Sequence, residues 1–106
     1  MTTQTLTTLM AQRVMGWRVG PDRFLTGHRS WMPLWRFQPA SRLADALRLL
    51  EQAAAQEYTM GAADNGGFWA RVSIGGVAGK AQESSQARAL TFAIARAIGI
   101  EPGVDD

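Results

Sequence analysis

Lys80 closes the run Gly75-Gly76-Val77-Ala78-Gly79-Lys80-Ala81, the nearest approach in this chain to a loop that cradles phosphate. Such a loop needs a glycine five residues before the one preceding the lysine, and a Ser or Thr just after the lysine. Ile74 and Ala81 stand at those places, so a tight hairpin explains the glycines better. His28 is the chain's one histidine and sits between Gly27 and Arg29, the pattern of a solvated loop side chain. There is no cysteine, which removes disulfides, zinc–thiolate sites and a thiol nucleophile. Asp22, Asp45, Glu51, Glu57, Asp64 and Glu83 show no metal-ligand spacing. No two carboxylates share an apolar helix face where burial would raise a pKa for acid–base work. Ser84 and Ser85 stand where a helix cap is needed. The expectation is a protein that is not an enzyme, with no catalytic residue, no cofactor and no metal.

The chemistry that remains is non-covalent, and it is concentrated in Arg13–Phe37. That stretch holds three of the four tryptophans, five of the arginines and the histidine. One reading is a nucleic-acid platform. Trp17, Trp31, Trp35, Phe24 and Phe37 would stack on bases, and Arg18, Arg23, Arg29 and Arg36 would meet phosphates. The other reading is structural. A chain this short has a thin core, and each large ring buries on the order of 150–250 Å². Rings that pin a connection against helices would leave the arginines outside. On that reading Trp17, Trp31 and Phe37 belong to the core, and Trp35, between Leu34 and Arg36, is left open between core and surface.

The elements that position these residues follow from length and punctuation. At 106 residues, 46% of them hydrophobic, the chain is expected to form a single domain over 1–106. The start, MTTQTLTTLMAQ, lacks the basic and apolar regions of a secretion signal. No apolar run reaches the roughly 18 residues of a membrane span. A soluble, cytoplasmic protein without membrane contact is expected. Net charge is +2 but unevenly spread. Residues 1–50 hold seven arginines against Asp22 and Asp45, a balance of +5, and residues 51–106 balance at −3. A basic half admits nucleic acid as a partner; a solvated surface is the simpler account of it.

Leu6, Leu9, Met10, Val14 and Trp17 fall at helical spacing, which predicts a first helix over about 4–15, capped by Thr3 or Thr5 and ended by Gly16. Gly20, Pro21, Gly27, Pro33 and Pro39 then predict a Trp/Arg-rich loop over 16–40 with at most short extended pieces. A helix–sheet–helix core is predicted over 41–99. Ser41 caps a helix whose stripe is Leu43, Ala46, Leu47, Leu50, Ala53 and Ala54. Three strands follow, over about 58–62, 68–74 and 77–82. In the second, Phe68, Ala70, Val72 and Ile74 point inward, and Gly75-Gly76 makes the hairpin to the third. Ser84 or Ser85 caps a last helix that ends near Gly99, and 100–106 form a short tail. The fold class is α+β: helix, long loop, helix, three-stranded antiparallel meander, helix, with helices packed on the layered sheet. The last helix is apolar around most of its circumference, and Phe92 falls between Arg88 and Arg96 on its otherwise polar arc. It needs cover on more than one side, from the first helix, from the tryptophan loop or from a second copy.

Val14-Met15-Gly16-Trp17, Trp31, the helix entry Phe37-x-Pro39-x-Ser41, and Ala87-Arg88-Ala89-Leu90 together resemble the phage alpha-beta-alpha sandwich domain family, small proteins of phages and prophages. The resemblance covers nearly the whole chain. It implies helices on both sides of the sheet and a phage or prophage setting, and it carries no active site. Residues 41–99 also share the element order of the double-stranded RNA-binding domain. That domain grips phosphates with lysines at the start of its last helix. Here the stretch is QESSQAR, with Lys80 before it, Glu83 in it and Arg88 a turn later, so the basic cluster is missing.

Two functions are therefore carried forward. One is a phage- or prophage-derived accessory or interaction protein without established activity, partnered by a phage or host protein or by itself as a homo-oligomer, most simply a dimer, with Phe92 in the contact. The alternative is a nucleic-acid-binding protein that uses the Arg/Trp-rich loop 13–37. For either partner the candidate surface is Arg18, Arg23, Arg29, Trp35 and Arg36.

Overall fold

The computed structural model describes residues 1–27 and 29–103, so His28 and the last three residues of the tail lie outside the described residues. α1 spans Thr3–Arg13. Its cap is Thr2, one residue ahead of the nearer expected choice, Thr3, and its hydroxyl accepts the Thr5 N–H at 3.1 Å. Gly16, at φ +71°, ends the helix as expected, and the Trp17 N–H reaches back to the Ala11 carbonyl at 3.0 Å. Leu6, Thr7, Met10 and Ala11 form its buried face.

The stretch after α1 holds a second sheet where the sequence predicts a loop. β1 (Arg18–Val19), β2 (Arg23–Gly27) and β3 (Ser30–Pro33) form an antiparallel meander in that order. The Gly20 N–H meets the Arg23 carbonyl at 2.8 Å to close the first turn. Pairing between β2 and β3 shifts register between Leu25 and Gly27. Strands this short carry too few alternating positions to register as strands in the sequence. The chain leaves the sheet at Pro33, which has no N–H to extend a ladder, and makes a 3₁₀ turn, Leu34–Arg36.

α2 spans Leu43–Gln52. Ser41 is not its cap: Arg42 holds that position and supplies no side-chain bond. Asp45, in the first turn, instead accepts the Gln38 N–H at 2.9 Å and ties the preceding segment to the helix start. The buried stripe is Ala46, Leu49 and Leu50. Leu47, expected inward, is 37% exposed, and Leu49 is fully buried in its place.

β4 (Glu57–Ala62), β5 (Phe68–Ile74) and β6 (Val77–Glu83) form the larger antiparallel sheet, with β5 in the centre. Gly75 and Gly76, at φ +58° and +82°, make the two-residue turn that matches strand twist. The register is the expected one: Ala70 and Val72 are buried, while Trp69 and Arg71 point the other way. α3 spans Gln86–Ala97, and Ser85 caps it by accepting the Arg88 N–H at 3.1 Å. It lies across the inner face of β5 and β6, and α2 packs beside it. The approach is so close that a Cβ on Gly79 would overlap the Ala93 carbonyl and the Ala97 N–H. The Thr91 hydroxyl, buried, donates to the Pro39 carbonyl at 2.8 Å. Past Gly99, at φ +87°, the Ile100 N–H bonds the Ala95 carbonyl at 2.8 Å. Ile100 and Pro102 are buried, so the expected tail is partly core.

Two expectations about cover are corrected. Phe92 is only 4% exposed, with the Arg88 guanidinium 4.7 Å from its ring centroid. The single chain covers it, and the small residues of α3 admit a sheet strand rather than a second helix. The resemblance implied helices on both faces of the sheet. Among the described residues the outer face of β4–β6 stays open: Thr59, Trp69, Arg71, Lys80 and Gln82 are all exposed. α1 packs instead against β1.

Candidate binding surface

The small sheet sorts the Arg/Trp residues by strand alternation. Residues directly opposed across an antiparallel pair share a face. Val19 opposes Phe24, and Phe24 opposes Met32. This row faces the core. There Trp17, Phe24 and Phe37 form a triangle of rings with centroids 5.7, 5.0 and 5.9 Å apart, two of the three contacts edge-on. The Arg48 guanidinium lies 5.3 Å from the Trp17 ring centroid and closes the cluster from outside. Trp17 and Phe37 are thus core residues as expected, and Phe24 joins them.

Trp31 is the correction. The structural reading of the sequence puts it in the core with Trp17, yet it is 56% exposed. Its partner in the ladder is Leu25, and Leu25 opposes Arg18. Arg18, Leu25 and Trp31 therefore form one row on the solvent face of the small sheet, one residue out of step with buried Phe24. Arg23 projects to the same face, two residues from Leu25. Its guanidinium sits 4.6 Å from the Trp31 ring centroid. Asp22 holds it there through Nε–Oδ1 and Nη2–Oδ2 contacts of 3.0 and 3.2 Å. The hydrogen bond from Arg23 holds the Asp22 carboxyl below the usual carboxylate range, and the same bond raises Arg23. Arg29, at φ +67° in the β2–β3 turn, lines with Arg18, Leu25 and Trp31 an open concavity of about 550 Å³.

Of the sequence-derived surface residues, the fold brings Arg18, Arg23 and Arg29 together around Trp31. Trp35, 63% exposed, and Arg36 project from the following 3₁₀ turn. Among the described residues they make no ring or ion contact with that group. Arg18 and Arg29 have no carboxylate partner among the described residues, so the charge on this face is largely uncompensated. Of the two sequence readings, the platform reading places Trp31 outside and the structural reading does not; the signal that separates them is the alternation of Phe24 with Leu25.

Three other carboxylates are engaged away from this face. Asp45 binds the backbone before α2, Glu83 pairs with Arg88 at 2.8 Å, and Glu101 pairs with Arg96 at 3.1 Å. Arg88, the cation nearest the start of α3, is thus held by Glu83, unlike the free lysines of a double-stranded RNA-binding domain. Among the described residues no helix is long and apolar enough to cross a membrane.

The chain matches no family model and no curated protein. Its fold is similar to that of a phage protein from Bacillus cereus ATCC 14579, known from a crystal structure. The TM-score is 0.76 over 95% of this chain and 91% of that one, at 15% sequence identity.

Proposed function

We propose that this chain is a small accessory protein of phage or prophage origin, akin to the phage alpha-beta-alpha sandwich proteins, that acts inside the cell by binding rather than catalysis. Two things support the origin: the motifs of the sequence, and a fold shared over nearly the whole length with a phage protein. One observation carries the mode of action. The solvent face of β1–β3 presents Arg18, Leu25 and Trp31 in a row, flanked by stacked Arg23 and by Arg29. An exposed tryptophan among uncompensated arginines is the composition of a binding centre rather than of an idle surface. The partner on this reading is a phage or host protein, and self-association uses the same face now that Phe92 is covered.

Exposed Trp31 with Arg18 and Arg29 also favours a second reading, a single-stranded nucleic acid stacked on the ring with its phosphates on the guanidiniums. Salt separates the two. Retention on nucleic acid that falls steeply as salt rises, and that is lost in Arg18→Gln/Arg29→Gln, supports the second reading. Pull-down of one stoichiometric protein partner, lost in Trp31→Ala, supports the first. A chain that binds neither, and that runs as a monomer near 11.5 kDa in light scattering, overturns both.

A further inference from the structure

The outer face of the larger sheet is a grid that register defines. Across β4, β5 and β6 its rows are Glu57–Ser73–Ala78, then Thr59–Arg71–Lys80, then Gly61–Trp69–Gln82. Trp69 lies over Gly61: a Cβ on that glycine would stand 2.7 Å from three atoms of the indole. The glycine therefore lets the ring lie down on the sheet, one side against backbone and the other toward solvent, with the residue 39% exposed. Arg71 and Lys80 stand directly opposed in the next row, about 7 Å along the strands. Like charges so placed destabilise a sheet, and neither has a carboxylate partner among the described residues. Fold stability alone does not select this pair. Arg96 reaches the edge of the same patch, where its Nη1 donates to the Lys80 carbonyl at 2.7 Å. Trp69, Arg71, Lys80, Gln82 and Arg96 line one shallow concavity of about 480 Å³.

We propose that this face is a binding site for single-stranded nucleic acid, separate from the β1–β3 surface and resting on its own residues. One base stacks on the open side of Trp69, the Gln82 amide and the Thr59 hydroxyl lie beside it for its polar edge, and the adjacent phosphates meet Arg71 and Lys80. Charge decides the occupant. The two free cations, Arg71 and Lys80, hold the centre of the face, and the acids lie at its ends, Glu57 at a corner and Asp64 in the turn beside Trp69 and Gln82, so a second copy apposed about that centre sets the cations against themselves. A polyanion that also carries flat rings complements both halves of the grid.

The four indole N–H groups allow one titration to test both surfaces. Nitrogen–proton spectra of the full chain are recorded while oligodeoxythymidine or oligouridine is added. The expected result is saturable movement of the Trp69 indole and of the Arg71 and Lys80 amides, with buried Trp17 still. Two phosphate contacts give a slope of log K against log salt of about −1.4. Arg71→Gln/Lys80→Gln, both on the solvent face, is expected to weaken binding at Trp69 about tenfold or more and to flatten the slope, leaving any response of Trp31 intact. A Trp69 indole that stays still at millimolar oligonucleotide overturns the proposal, whether or not Trp31 moves. So does a mass of twice 11.5 kDa with Trp69 shielded, which assigns the face to a second copy.

Discussion

The chain has four tryptophans, and the fold gives them different work. Trp17 closes a ring triangle in the core, Trp31 and Trp35 stand in solvent, and Trp69 lies flat on a glycine. Trp17 and Phe37 lie outside the strands and anchor the chain to the core, the role that a short chain with a thin core suggests for large rings. Trp31 lies in β3, where strand parity sets its face, and parity is invisible until the strands are known. Phe37→Ala opens a cavity among rings that cannot easily collapse and is expected to cost about 3–5 kcal/mol in denaturant unfolding. Trp31→Ala, by contrast, is expected to stay within about 0.5 kcal/mol of the parent. Asp22 offers a check by titration. Its folded pKa is lowered by Arg23, so the pair is fully formed above the unfolded value and is lost as pH falls through the folded one. A carboxyl titration should find Asp22 below the ordinary aspartate range, and Arg23→Gln should return it there.

At the scale of elements, the larger sheet was legible because its central strand, β5, alternates and two glycines mark the turn between β5 and β6. The amphipathic stripe of α2 was legible as a stripe but set one position off. A wheel anchored on Leu43 and Leu50 favours Leu47, four and three residues from them. The structure turns the helix toward Ala46 instead, and Leu49, three residues on, is buried with it. Leu49→Ala is expected to cost about 2–5 kcal/mol, and Leu47→Ala far less, in paired urea titrations. The small sheet left almost no periodic signal, because its strands are two, five and four residues long and glycine and proline punctuate them. What holds it is the aromatic triangle behind β2, a tertiary contact that joins residues on either side of the sheet. The candidate face around Trp31 inherits that difficulty: the sequence grouped Arg18, Arg23 and Arg29 on one surface with Trp35 and Arg36, and the strand pairing that centres the three on Trp31 was not legible.

The whole molecule turns on α3. Nine of its residues are buried, with β5 and β6 beneath it, α2 beside it and the Pro39 carbonyl bound to Thr91. From the sequence alone, this apolar circumference pointed equally to a second copy of the chain, and Phe92→Glu separates the two accounts. If Phe92 were a contact between copies, a glutamate there would split a dimer and leave each chain folded. In the structure the side chain is 4% exposed, so the substitution forces a carboxylate into an apolar site, where it must either shed its charge or open the core. The expected result is a large loss of thermal stability by circular dichroism, less severe at acidic pH, where the carboxyl is neutral. Gly79→Ala probes the same helix from the sheet side, because its methyl meets α3 backbone rather than a movable side chain. It too is expected to destabilise, by about 1–3 kcal/mol or more. A folded, cooperative monomer from Phe92→Glu with an unchanged melting curve is the result that would return Phe92 to the surface.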